Sequence, residues 1–354
     1  MSPSHHYIDR DTGRVCAERL FHDRLIRFVY SSLREHVPSL YQAATSRWTT
    51  WLLGLANYDL ALGSLVSGNR RFLRELNVDL SECLDPPESL CTARQVFERR
   101  IRFWDCRPMP HDPRIVVSPA DSRVVVGSLH DSSPLYVKGK FFSHAELLGK
   151  LEWIDAFHDG DFAIFRLTPD KYHFNHLPVT GIVVDHFEID GQHHACNPTA
   201  VVELLTPFSK NRRVVTVIDT DVPHGSGVGL VAMIEVVAMM IGGIVQCYSA
   251  ERYDAPRLIE PGVFVCRGQP KSLYRPGSST DVLLFQSGRV EFAPDLVRNL
   301  FAPVATRFST GFGQPLVETD VKVRSWLAHP RGSATHFARL DGGMTNDEIR
   351  MTKE

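Results

Sequence analysis

The sequence lacks most of the features that mark a specialised chain. It has no Cys-x-x-Cys pair, and its seven cysteines stand scattered at Cys16, Cys83, Cys91, Cys106, Cys196, Cys247 and Cys266. An odd number at irregular spacing in 354 residues excludes a disulfide framework in favour of reduced, mostly buried thiols. Charge of one sign is also missing. The 39 Lys and Arg face 41 Asp and Glu, a formal net charge of −2, so no global pull toward nucleic acid exists. Met1 to Gly13 is polar, with neither the apolar core of a secretory signal nor the Arg-rich character of a transit peptide, and a protein that is not secreted is expected. Long apolar runs are absent except for Val228 to Val245, which glycines and Glu235 interrupt. A mid-segment carboxylate suits buried strands with a turn better than a membrane span.

What is present divides the chain by texture. From Leu20 to Val37, Phe21, Leu25, Phe28, Val29 and Leu33 recur at helical spacing with charges filling the other side. A second helical stretch surrounds Trp48, Trp51, Leu52, Leu55 and Leu62, and a third runs from Val96 to Trp104 before the proline-rich loop Arg107 to Pro113. Beyond it, Ile115–Val117, Val124–Val126, Phe162–Leu167, Gly181–Val184, Val214–Ile218 and Val282–Phe285 are short β-branched or aromatic runs between turn residues. The expected class is α+β: a helical N-terminal region over residues 1–110, a β-rich core over 111–330 and a polar tail over 331–354.

Several residue groups invite chemistry. Gly225, Gly227 and Gly229 lack the third glycine of a dinucleotide loop and read as tight turns. His193, His194 and Cys196 are metal ligands by type, but adjacent histidines in an extended segment point to opposite faces, so no metal is expected. His173 and His176 sit three apart, Asp121 heads a strand after Pro119, and Gly277-Ser278-Ser279 precedes an apolar strand. Each alone is weak.

In order along the chain, however, the segments resemble the phosphatidylserine decarboxylase family. Tyr7-Ile8-Asp9-Arg10-Asp11-Thr12-Gly13, Phe97-Glu98-Arg99 with Arg107-Pro108, and Ser118-Pro119-Ala120-Asp121 match its opening motifs. Tyr136 to Ser143 with Glu146 to Gly149 is similar to its Val-Lys-Gly segment, and Asp170 to Pro178 follows Asp-Tyr-His-x-x-His-x-Pro with one residue inserted. Asn197-Pro198, Asn211 to Val215 and Pro315 to Thr319 complete the series.

The resemblance implies a self-processing enzyme. Asp121, His176 and Ser278 fall on the family's Asp-His-Ser triad: His176 takes the Ser278 hydroxyl proton, Asp121 holds the imidazole tautomer, and the alkoxide attacks the Gly277 carbonyl. Ester formation, β-elimination and hydrolysis leave a β chain ending at Gly277 and an α chain starting with a pyruvoyl group derived from Ser278. No pyridoxal phosphate or metal is implied. That pyruvoyl forms a Schiff base with the substrate amine and serves as electron sink for decarboxylation, with His173 positioning the carboxylate or returning the proton.

The implied substrate is phosphatidylserine at a membrane surface, yielding phosphatidylethanolamine, with cytoplasmic or peripheral membrane location and room for a homo-oligomer. Trp48 and Trp51 suit either interfacial contact or cover for the core. Departures include Ser122 after the Pro-Ala-Asp motif, Arg267 to Tyr274 before the cut, and Pro276-Gly277-Ser278-Ser279 at it. Two other readings stand beside this one: a pyruvoyl-dependent decarboxylase of a soluble, for example aromatic, amino acid, and a lipid-binding relative that does not process.

Overall fold

A computed structural model describes residues 5–18, 78–86, 89–90, 92–136, 140–204, 206–237, 243–276 and 279–332. The helices expected from Leu20 to Leu62, Trp48 and Trp51 among them, lie outside these residues, as do Gly277 and Ser278 and most of the polar tail.

The strands begin with β1 (His6–Asp9), β2 (Val15–Ala17), β3 (Val116–Val117), β4 (Ser122–Ser128) and β5 (Asp161–Leu167). Next come β6 (Phe174–His176), β7 (Gly181–Ile189), β8 (Arg213–Asp219), β9 (Leu230–Val237), β10 (Ile244–Gln246) and β11 (Phe264–Val265). The last are β12 (Pro270–Tyr274), β13 (Ser279–Phe285), β14 (Val290–Phe292), β15 (Glu318–Val321) and β16 (Trp326–Pro330). The helices used below are α1 (Ala93–Phe97), α2 (Phe103–Cys106) and α3 (His144–Leu148).

Ten strands form one sheet in the order β11-β7-β8-β9-β13-β5-β4-β15-β1-β2, antiparallel throughout except where β1 runs parallel to β15. Its centre is made of continuous apolar runs, such as Val282 to Phe285 and Val231 to Ile234, because both faces are covered. Two three-stranded sheets accompany it, β10-β12-β6 and β14-β16-β3. The β-rich core and the α+β class expected of the sequence are therefore present. The N-terminal region differs from a purely helical one: its described start is the β1–β2 hairpin, which joins the edge of the large sheet by pairing with β15. Four residues of His-Tyr-Ile-Asp carry little local pattern, and that long-range partner decides their conformation.

Directly opposed residues of an antiparallel pair share a face. Arg123, Arg166, Thr280 and Arg213 therefore lie on one face, and Glu235 and Asp281 on the other. On the first, the Arg213 guanidinium donates to the carbonyls of Leu147, at 2.9 Å, and Glu146, satisfying acceptors that the end of α3 leaves open. The second face meets the β10-β12-β6 sheet. The apolar stretch Val228 to Val245 resolves into β9 and the start of β10, and no helix among the described residues is long and apolar enough to cross a membrane. Gly227 and Gly229, both at positive φ (68° and 75°), make the turn between β8 and β9, as tight-turn glycines should.

Candidate active site

β6 carries His176 into the interior. Its backbone N–H donates to the Pro119 carbonyl at 2.7 Å, two residues before Asp121, so the Ser-Pro-Ala-Asp turn and the His-x-x-His strand are stitched together by main chain. The side chain is fully buried. Nδ1 lies 2.8 Å from the Gly268 carbonyl, which only accepts, so Nδ1 carries the proton and Nε2 the lone pair. Nε2 is 3.0 Å from the Tyr172 hydroxyl, and Phe103 of α2 meets the ring edge-on at 4.7 Å. Burial, aided by the Arg324 and Arg107 charges and opposed by the Gly268 carbonyl and Asp121, pulls the imidazole down to about 3. It is a neutral base at ordinary pH.

His173 precedes β6, also fully buried. Nδ1 donates to the Lys171 carbonyl at 2.8 Å, leaving the lone pair on Nε2, which has no partner among the described residues. Its ring stacks on Phe97 with centroids 3.5 Å apart. Phe97 ends α1, which starts with a reciprocal capping box between Thr92 and Gln95. Burial, then the Arg99 charge, holds this imidazole well below the usual histidine range.

Asp121 is buried as well, but it does not hold His176. No hydrogen bond joins the two side chains. The carboxylate accepts from Arg107 Nε at 2.9 Å and Nη2 at 2.7 Å, and from the Val323 amide at 2.8 Å. Arg107 in turn grips Glu82 with both Nη atoms at 2.8 Å. Burial alone would raise the Asp121 carboxyl; the Arg107 charge and hydrogen bonds keep it below its ordinary value. The expectation that Asp121 fixes the imidazole tautomer is thus corrected: the Gly268 carbonyl does so, and Asp121 acts on the ring only through its charge.

The structure pins the chain on both sides of the Gly277–Ser278 bond. Before it, the Tyr274 amide donates to the His173 carbonyl at 3.0 Å and the Arg275 amide to Gly243 at 3.0 Å. After it, Ser279 opens β13 between Leu167 of β5 and Val237 of β9. Leu167 lies six residues before His173 in the chain, and the His173 carbonyl meets the Tyr274 amide, so His173 stands at this end of the central strands, while His176 lies further along β6, opposite Pro270.

A charged network beneath the site was not foreseen. Glu235, fully buried on β9, pairs with Lys271 Nζ at 2.5 Å and accepts from Gln246 at 2.9 Å, Asn175 at 3.1 Å and Ser272. Burial would raise this carboxyl, but Lys271 holds it down. Its register partner Asp281 forms no ion pair among the described residues: burial, then Glu235, pushes it well up, opposed by the Tyr274 hydroxyl, which donates to its Oδ1 at 2.7 Å, and by the Lys271 charge. Glu235 stood out in the sequence as the lone acid of an apolar stretch, a signal that pointed to a buried partner.

Five buried polar atoms of β13, β6 and the residue preceding β6 have no partner among the described residues: His173 Nε2, Asn175 Oδ1, Ser279 Oγ, Thr280 Oγ1 and Asp281 Oδ2. Each costs about 1–3 kcal/mol if left so. Ser279, Asp281, Asn175 and His173 belong to the strand ends that flank residues 277 and 278, whereas Thr280 points to the opposite face of the large sheet.

His193 and His194 are buried, and the His194 backbone is clasped by Asn211 through two hydrogen bonds of 2.8 and 2.9 Å. Among the described residues, His5, Glu18 and Glu318 come close enough to hold a metal. Arg166 occupies both carboxylates instead, at 2.6 Å each, with Arg123 on Glu18. The cluster ties the β1–β2 hairpin to β5, β4 and β15.

The family model described as phosphatidylserine decarboxylase matches residues 93–300. A protein of Fusobacterium nucleatum named phosphatidylserine decarboxylase proenzyme is 25% identical over 308 residues, 86% of this chain and 95% of its own. One of the same name from Chlamydia trachomatis serovar L2 is 29% identical over 317 residues, again covering 86% and 95%. Phosphatidylserine decarboxylase proenzyme 2 of Oryza sativa subsp. japonica is 34% identical over 238 residues, 66% of this chain and 35% of that one. The chain belongs to the phosphatidylserine decarboxylase family.

Proposed function

We propose that the protein is a phosphatidylserine decarboxylase made as a proenzyme, which cuts itself between Gly277 and Ser278 and carries a pyruvoyl group at residue 278. The observation that supports this reading is the neutral, fully buried His176, its Nδ1 proton committed to Gly268 and its Nε2 left unprotonated, on the strand that pairs with β12 just before the bond. In the cut, His176 Nε2 takes the Ser278 hydroxyl proton, the oxygen attacks the Gly277 carbonyl, and the imidazolium protonates the departing amide nitrogen. The ester so formed loses the α-proton of residue 278 and expels the Gly277 carboxylate. Water then replaces the nitrogen, released as ammonia.

The unpartnered polar atoms on β13, β6 and His173 suit the pyruvoyl group and a headgroup beside it. When present, that group supplies an electron sink for the electrons left behind as carbon dioxide departs. The chain supplies the proton handling. His173, whose Nε2 has no partner among the described residues, is the group for positioning the carboxylate or returning the proton to the α-carbon.

Denaturing gels and intact mass of the purified protein test the first half. Two fragments meeting at 277/278, the shorter one lacking a free amine and trapped by borohydride, are expected; one unblocked full-length chain would refute it. Liposomal phosphatidylserine assayed beside free amino acids tests the second, and release of carbon dioxide from the free amino acids alone would refute the lipid substrate.

A further inference from the structure

Both nitrogens of His176 are engaged before any chemistry occurs, and the partner on the catalytic nitrogen is a tyrosine. The Tyr172 hydroxyl lies 3.0 Å from His176 Nε2 and 2.7 Å from the Tyr253 hydroxyl. Tyr253 is anchored at its far side: its hydroxyl donates to the Ile101 carbonyl at 2.9 Å and accepts from the Ile101 amide at 3.1 Å. Tyr172 is fully buried, and Phe103 and Phe174 pack around the pair, with ring centroids 5.5 and 5.2 Å from Tyr253. Since Tyr253 spends its own proton on Ile101, its oxygen can accept from Tyr172. The Tyr172 proton therefore has two acceptors, one on each side.

We propose that Tyr172 is the positioning residue for the self-cleavage base, a hydroxyl that turns its proton from His176 Nε2 to Tyr253 as the imidazole becomes charged. This inference rests on the reading of His176 as that base. In the resting precursor Tyr172 donates to Nε2 and holds the ring against Gly268. When the Ser278 proton moves to Nε2, the Tyr172 O–H rotates onto the Tyr253 oxygen and its lone pair accepts the new Nε2–H. No heavy-atom bond changes, and Tyr253 keeps its bond to Ile101 throughout. The buried imidazolium thus has an acceptor on each nitrogen, Gly268 and Tyr172, although Asp121 touches neither.

Cell-free synthesis of the full chain, sampled over time on denaturing gels, measures the rate of cutting. Tyr172→Phe is expected to slow it about 10- to 100-fold, the size of a hydrogen bond lost to a charged group. Tyr253→Phe is expected to slow it less, and the double variant to match Tyr172→Phe within about twofold, because Tyr253 acts through Tyr172. Packing alone would make the two effects multiply, and that result, or wild-type cutting by Tyr172→Phe, overturns the proposal. Should the phenylalanine variant fail to fold, 3-fluorotyrosine at position 172 keeps ring and hydroxyl while making the oxygen a poorer acceptor. Slower cutting supports the switch and an unchanged rate refutes it. A wild-type chain that never cuts removes the self-cleavage reading itself, whereas a wild-type chain that cuts beside an equally fast Tyr172→Phe removes this inference alone.

Discussion

Lys271→Met should destabilise the protein in a way that depends on pH, because it strips the cation from a carboxylate with no route to water. Glu235 and Lys271 are both fully buried and 2.5 Å apart. Removing one partner of such a pair typically costs about 3–5 kcal/mol. The structure sets a ceiling on the electrostatic part, since Glu235 can escape by taking up a proton. Its ordinary value is 4.5, so neutralising it at pH 7 costs about 3.4 kcal/mol, and at pH 5 about 0.7, at 1.36 kcal/mol per unit. In the variant the folded-state value is raised above the unfolded one, so the deficit is full at neutral pH and shrinks as pH falls toward 4.5. In the parent the folded value is depressed, so its contribution persists above 4.5 and does not confuse the comparison. The assay is urea unfolding followed by tryptophan fluorescence in a Ser278→Ala background, where one uncut chain unfolds. Adding Glu235→Gln should leave only a pH-independent loss. A Lys271→Met deficit equal at pH 5 and pH 7 would refute the reasoning and show that water reaches Glu235.

Three further outcomes follow from the same geometry. Ser278→Ala and His176→Ala should leave the chain uncut on a gel, while His173→Ala should cut but lose turnover by at least about 100-fold, the lower end of the range for a missing acid–base group; full turnover would remove His173 from the mechanism. The cutting rate should stay flat from pH 8 down to about pH 5, because His176 is pulled down to about 3. A tenfold fall per pH unit below 6.5 would mean a solvated ring. The same depression places stability above the unfolded histidine value and loses it as pH falls from 6.5 toward 3. Finally, the two fragments should co-elute in size-exclusion chromatography and part only in denaturant, since β13 is flanked by β9 and β5, and β15 by β4 and β1. Separation under native conditions would contradict that interleaving.

How far the sequence foretold this differs from place to place. Val282–Phe285, Val214–Ile218 and Phe162–Leu167 were legible as strands because their β-branched and aromatic runs sit between turn residues, and all three lie in the large sheet. β7 runs on to Ile189 past the expected end at Val184 because a bulge at Val183/Asp185 breaks the simple alternation. In the site, His176, His173 and Asp121 stand in motifs that could be read directly. Tyr172 and Arg107 stand in the same motifs with no assigned role, since a hydroxyl beside a histidine and an arginine beside a carboxylate become partners only after folding. The Gly268 carbonyl is main chain and leaves no mark on residue identity. That is why the tautomer was credited to Asp121.

The proposed cut falls at a particular place in the topology. β12, which precedes it, belongs to the three-stranded sheet with β6, and β13, which follows it, to the ten-stranded sheet. The connection passes from one sheet to the other, so a break there severs no strand-to-strand ladder. Residues 279 to 285 keep both their partners, β9 and β5, and Pro270 to Tyr274 keep β10 and β6. On the opposite face, Glu318 remains locked to Arg166 and His5 at 2.6 Å each, joining a strand after the cut to residues before it. Backbone strain is not needed to make the bond special. A cut within β13 would forfeit ladder bonds on two sides at about 0.5–1.5 kcal/mol each, whereas a cut at the crossover leaves the ladders on either side intact.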